Sequence, residues 1–91
     1  MNSVLYNDIK QLFNKLLTNY VIFFSKDGVL NSEGRKLFEL IARNIIRENP
    51  ERKKLIVKIR KNPTLENIVK LATLYMDDDY INYLIRDAFT Q

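Results

Sequence analysis

Apolar residues recur at the i, i+3 and i+4 spacing of a helix along almost the whole chain, and few residues interrupt the pattern. Only two glycines and two prolines occur among the 91 residues. An all-β domain of this length needs more turn residues, because its short strands are joined by tight turns. Apolar residues make up 46% of the sequence, which is ordinary for a globular domain and too high for a disordered chain. We therefore predict one all-α domain over residues 1–91, a compact bundle of about five helices.

Capping residues and breaks in the apolar pattern divide the chain into one long N-terminal helix and four shorter helices. The predicted helices run from Asn2 or Ser3 to about Phe24, from Asn31 or Ser32 to about Arg47, from about Pro50 to Lys61, from Leu65 to Met76, and from Asp77 to Phe89. In the second and third helices, the positions expected in the core are Leu37, Phe38, Leu40, Ile41, Ile45, Leu55, Ile56 and Ile59. The apolar run Tyr20 to Phe24 also fits a short strand, which stays an alternative there.

The absence of cysteine and histidine excludes several kinds of chemistry. It removes thiolate catalysis, the usual zinc sites and the commonest general base. The sequence has no glycine-rich phosphate loop and no pair of side chains at a spacing typical of an activated nucleophile. Three consecutive aspartates, Asp77 to Asp79, are interpreted as caps of the last helix rather than as a magnesium site. We predict a protein that is not an enzyme and holds no cofactor or metal.

The same composition predicts an intracellular protein. Small secreted domains usually carry cysteines, and the first residues lack the basic stretch of a signal peptide. The longest apolar run, Tyr20 to Phe24, is far shorter than the ~20 residues that a membrane span requires. We therefore expect a cytoplasmic location and no membrane partner.

Charge is distributed unevenly along the chain. Residues 35–61 contain ten basic and three acidic residues, whereas residues 62–91 contain two basic and five acidic residues. The bases expected on the outer faces of the second and third helices are Lys36, Arg43, Arg47, Lys53, Lys54, Lys58, Arg60 and Lys61. Such a surface attracts phosphates or an acidic protein, although solvated helix exteriors are also commonly charged. Residues 39–61 contain no aromatic side chain, which disfavours base stacking on single strands and favours duplex backbone or protein.

Two further groups of residues are candidates for a protein interface. Tyr20, Phe23 and Phe24 belong to a segment that is apolar on every side, so either the fold or a second copy must cover it. Tyr80, Tyr83 and Arg86 lie away from the apolar face of the last helix, and tyrosine and arginine are common interface anchors. Burial within the chain's own fold is the alternative for both groups.

These features together predict a small non-catalytic accessory or adaptor protein. We expect it to act in a nucleic-acid-processing assembly, where its basic face meets nucleic-acid backbone or an acidic subunit. One alternative is a pure protein–protein interaction module, such as a viral inhibitor or a regulatory subunit. Another is a homodimeric structural protein that pairs through its first helix. The expected partners are therefore proteins, with duplex nucleic acid and a second copy of the chain as further candidates.

Overall fold

The computed structural model describes the backbone of residues 2–90 and the side chains of residues 8–86, and the protein is 77% helical. The α-helices in this range are α1 (Asn2–Thr18), α2 (Tyr20–Phe23), α3 (Ser32–Glu48), α4 (Lys53–Lys61), α5 (Leu65–Ala72) and α6 (Asp78–Thr90), and a 3-10 turn (Pro50–Arg52) precedes α4. No β-strand occurs between residues 2 and 90, where pairing of that kind is limited to two isolated bridges. None of the helices described is long and apolar enough to cross a membrane.

The predicted bundle is matched roughly: residues 2–90 form six α-helices where about five were predicted, and the first helix is shorter than expected. Its last regular residue is Thr18, and the short helix α2 follows after Asn19, whose φ of −109° and ψ of 38° lie outside the helical range. Local side chains explain the break. The Thr18 hydroxyl donates to the Asn14 carbonyl (2.7 Å), and the side-chain amide of Asn19 donates to the Lys15 carbonyl (2.8 Å). Such bonds compete with the helical backbone pattern. With 17 residues each, α1 and α3 are equally long, so the arrangement differs from one long helix and four shorter ones.

The core forms where α1 packs along α3 and α6. The short helix α2 also contacts α3 and α6. The fully or nearly fully buried side chains there are Ile9, Phe13, Leu16 and Leu17 of α1, Leu37, Phe38, Ile41 and Ile45 of α3, and Ile81 and Leu84 of α6. The ring of Phe13 stacks on Tyr75 with 6.2 Å between the ring centroids, which joins the segment after α5 to α1. Most of the i, i+3, i+4 positions of α1 and α3 therefore face one common core.

Two leucines that were expected in the core are exposed. Leu40 lies at the edge of the contact between α1 and α3, where it borders a surface depression together with Leu12 and Asn44. Leu55 is on α4, which buries only Ile56 and Ile59. In both cases the apolar pattern is wider than the strip that the neighbouring helices cover.

The connection between α2 and α3 folds back on itself. Phe24 and Leu30 form an antiparallel bridge, and inside it the Ser25 amide donates to the Val29 carbonyl (2.8 Å). Gly28 takes the tip of the turn with a φ of +82°, a conformation that side chains with a Cβ rarely adopt. The chain therefore leaves α2 in an extended direction, reverses, and enters α3.

Asp27 closes this turn. Its carboxylate accepts hydrogen bonds from the Ser25 hydroxyl and from the Val29 amide, and these bonds lower the pKa of Asp27 below its usual value. The side chain therefore stays ionised and acts as an acceptor for the turn over the whole neutral pH range.

The same connection binds a segment that is distant in sequence. The Leu30 amide donates to the Pro63 carbonyl (3.0 Å), and the Leu65 amide donates to the Gly28 carbonyl (2.8 Å). These bonds fix the linker between α4 and α5 against the entrance of α3. We call residues 24–31 and 63–65 together the clasp.

The start of α3 is held by Asn31 and Gly34. The Asn31 side-chain oxygen accepts from the Gly34 amide (2.8 Å), while its amide group donates to the Ile22 carbonyl (2.7 Å). Its backbone amide donates to the Phe23 carbonyl (2.9 Å). A Cβ on Gly34 would overlap that same Phe23 carbonyl oxygen and crowd the side chain of Leu30. The crossing of α2 over α3 therefore requires a residue without a side chain at position 34.

We predict that Gly34→Ala lowers the free energy of unfolding by about 2 kcal/mol, because a backbone oxygen cannot move aside for the new methyl group. The loss occurs even though alanine is intrinsically the better helix former by about 1 kcal/mol. Urea unfolding measures the change. Ser32→Ala, at an exposed position two residues earlier on α3, is the control and should change the free energy of unfolding little. A Gly34→Ala protein as stable as the wild type would contradict this explanation of the crossing.

We also predict that Asn31→Ala lowers the free energy of unfolding by about 2 kcal/mol, because it removes the cap of α3 and the bond to Ile22. Asn31→Asp keeps an acceptor for the Gly34 amide and loses the donor to the Ile22 carbonyl. Its free energy of unfolding should therefore lie between that of the wild type and that of Asn31→Ala. Urea unfolding of the three proteins gives the order. An Asn31→Ala protein as stable as the wild type would contradict this account of the cap.

Candidate polyanion-binding surface

The outer face of α3 carries three bases. Lys36, Arg43 and Arg47 are exposed and lie on the side of the helix opposite Leu37 and Ile41, which are buried against the other helices. The helical repeat of 3.6 residues explains the separation, because these bases fall within about 40° of one another on the helix circumference. The side predicted for the bases is therefore the side on which the fold places them.

The bases of α4 are also at the surface. Ile56 and Ile59 are the buried residues of this helix, and they anchor one side of it. The exposed bases on the rest of its circumference are Lys53, Lys54, Lys58, Arg60 and Lys61. Basic side chains thus cover much of the exposed surface of α4, while two isoleucines anchor the helix to the core.

One ion pair joins the basic faces of the two helices. Arg60 of α4 forms a bidentate contact with Glu39 of α3, with distances of 2.9 and 3.1 Å. On α3, Glu39 is one helical turn from both Lys36 and Arg43, so the contact places the last turn of α4 beside these two bases. The pair is half exposed, so its own contribution to stability is only about 0.5 kcal/mol. We call Lys36, Arg43, Arg47, Lys53, Lys54, Lys58, Arg60 and Lys61 together the basic surface.

Most of the basic surface has no carboxylate partner. Lys36 contacts Glu33 (3.3 Å), and Arg60 contacts Glu39. Among the side chains of residues 8–86, no carboxylate oxygen lies within 4.0 Å of the charged groups of Arg43, Arg47, Lys53, Lys54, Lys58 or Lys61. Like charges on adjacent turns repel one another, and a bound anion relieves that repulsion.

Two other arginines of this part of the chain are used by the fold. The Arg52 guanidinium lies 4.9 Å from the centroid of the Tyr75 ring and so packs the 3-10 turn against the segment after α5. Arg35 donates to the Leu30 carbonyl (3.4 Å) in the clasp. The sequence alone does not predict these two contacts, because each joins residues of different elements.

The apolar run at α2 is divided between the core and the surface. Phe24 is buried, and Tyr20 stacks on it with 5.0 Å between the ring centroids, while Phe23 is half buried. The exposed residues of the run are Val21 and Ile22, at 74% and 61% of their full exposure. Sequence reasoning missed these two, although they are out of helical phase with the three aromatic residues.

Tyr80, Tyr83 and Arg86 are exposed on α6, away from the basic surface. The two tyrosine rings stack with 6.4 Å between their centroids, and the Asn14 side chain donates to the Tyr80 hydroxyl (3.1 Å). An open cavity of about 310 Å³ lies between α1 and α6, lined by Lys10, Gln11, Asn14, Met76, Asp77 and Tyr80. The structure thus brings the two tyrosines of α6 together.

In the part of the chain with described side chains, no cluster of three or more acidic, histidine or cysteine residues is arranged to hold a metal ion. Exposed features that could take part in recognition include the basic surface, Val21 and Ile22 of α2, Leu55 and Val57 of α4, and the tyrosine pair on α6. No family model, curated protein or solved structure matches this chain.

Proposed function

We propose that this chain is a small non-catalytic accessory domain of a nucleic-acid-processing assembly, in which the basic surface binds a polyanionic partner. The partner is the phosphate backbone of a duplex or an acidic subunit of the assembly. One observation carries the proposal: six exposed bases on two adjoining helices have no carboxylate near them among the described side chains. When such bases neutralise the charges of a polyanion, counterions leave the polyanion, and the affinity therefore depends on salt.

The composition of the basic surface defines the mode of binding. Because no aromatic residue occurs between residues 39 and 61, the surface has no platform for stacked bases. Contacts from lysine and arginine to phosphate oxygens position a protein on a duplex without reading its sequence. Duplex binding by this domain is therefore expected to depend strongly on salt and little on base sequence.

A second candidate function is a protein–protein interaction module that makes no contact with nucleic acid. Leu55 and Val57 favour it, because both are apolar, both are on α4 and both remain exposed among the lysines. Phosphate contacts do not use such side chains, whereas a protein partner covers them.

We predict that the triple variant Arg43→Glu, Arg47→Glu, Lys58→Glu no longer binds a duplex at ~50 mM salt, because three attractive phosphate contacts become repulsive. Its fold should persist, since all three side chains are exposed. In the matched control, Lys15→Glu, Lys26→Glu and Arg86→Glu make the same change in net charge at exposed bases elsewhere. Fluorescence anisotropy across a salt series gives both affinity and slope, and the slope should fall by about one unit for each phosphate that the protein no longer neutralises.

Two results would contradict the proposal. In one, the wild type binds neither a duplex nor polyglutamate at micromolar concentration and ~50 mM salt. In the other, the two triple variants lose affinity equally, so that net charge alone rather than the basic surface determines binding.

A further inference from the structure

The helix α4 buries Ile56 and Ile59 and exposes its other seven residues. Two of the exposed residues are apolar, Leu55 at 37% and Val57 at 36% of full exposure. Lone exposed apolar side chains are common on protein surfaces, but these two flank the basic ridge of one short helix. The helix therefore presents a mixed apolar and cationic face to solvent.

A depression lies on each side of this face. The larger, which we call the Val57 depression, has a volume of about 590 Å³ and is lined by Pro50, Glu51, Lys53, Lys54 and Val57. The smaller, which we call the Leu55 groove, has a volume of about 200 Å³ and is lined by Leu55, Lys58, Ile59, Asn67 and Lys70. Both are lined by apolar side chains and two lysines, and Glu51 is the single acidic residue among the lining, so each has room for a large apolar side chain beside an anionic group.

The charge between the two depressions has one sign. Lys54, Lys58 and Lys61 follow one another at i, i+4 and i+7 along α4, and none has a carboxylate nearby among the described side chains. Lys70, which lines the Leu55 groove, forms an exposed ion pair (3.6 Å) with Glu66, one helical turn away on α5. A partner that covers this face must therefore bring acidic groups together with apolar ones.

We propose that α4 docks an acidic protein segment that crosses the lysine ridge in an extended conformation and carries a large apolar side chain on either side of its acidic residues. Its apolar side chains fill the Val57 depression and the Leu55 groove, and its carboxylates contact the lysine ridge between them. The proposal rests on the proposed function, since it identifies which polyanion the basic surface binds. A duplex backbone would neutralise the lysines and leave Leu55 and Val57 uncovered.

The test uses the full chain and three fluorescent probes in anisotropy titrations at ~50 mM salt. One probe is an acidic peptide of about 10 residues with a leucine on either side of its acidic residues, the second has glutamine in place of each leucine, and the third is a short duplex. The leucine peptide should bind at least about tenfold more tightly than the glutamine peptide, because burying even one leucine side chain supplies that factor.

The variant Leu55→Gln, Val57→Gln removes these two apolar side chains and keeps every charge. It should weaken the leucine peptide about tenfold and leave the affinities for the glutamine peptide and the duplex unchanged. The matched control is Val21→Gln, Ile22→Gln, which changes two exposed apolar residues on α2 and should change no affinity. Urea unfolding confirms that both variants are folded.

Equal affinity for the leucine and glutamine peptides would overturn the proposal, as would an equal loss of leucine-peptide affinity in both double variants. In either case, binding of the duplex or of the glutamine peptide would still support the proposed function. Failure of all three probes to bind would overturn the proposed function as well.

Discussion

The close approach of α2 to the first turn of α3 is the constraint on which the rest of the structure depends. Gly34 leaves room for the Phe23 carbonyl, and Asn31 caps α3 while it also binds the end of α2. These contacts direct the chain into the clasp, where hydrogen bonds also hold the linker before α5. A local requirement for a small residue and a capping amide thus determines how distant parts of the chain meet.

The position of the basic surface follows from that arrangement. Because Leu37 and Ile41 of α3 face the core that α1 completes, the opposite side of α3 points to solvent with its bases. The clasp binds the linker that follows α4, and the contact between Arg60 and Glu39 joins the last turn of α4 to α3. Two basic helix faces that are separate in sequence therefore adjoin in the fold, and the mixed face of α4 extends them with apolar side chains.

Periodicity and capping predicted the helices well where the decisive contacts are local. The bounds of α3 and α6 differ from those predicted by at most one residue, and the outward side of the α3 bases follows from the same repeat. The break at Asn19 escaped prediction, because the apolar phase of Tyr20 and Phe23 continues across it. Exposure of Leu55 depends on how few neighbours reach α4, and the Arg60–Glu39 contact joins residues 21 positions apart. No local pattern encodes either feature.

We propose that the outer faces of α3 and α4 form the binding surface of this domain. Amide chemical-shift mapping by NMR tests it most directly, with the isotopically labelled chain titrated by a duplex and, separately, by an acidic peptide. We expect the largest shift changes around Arg43, Arg47, Lys54 and Lys58, and we expect them to disappear at high salt. Shift changes centred on Tyr80 and Tyr83, with α3 and α4 unaffected, would contradict it.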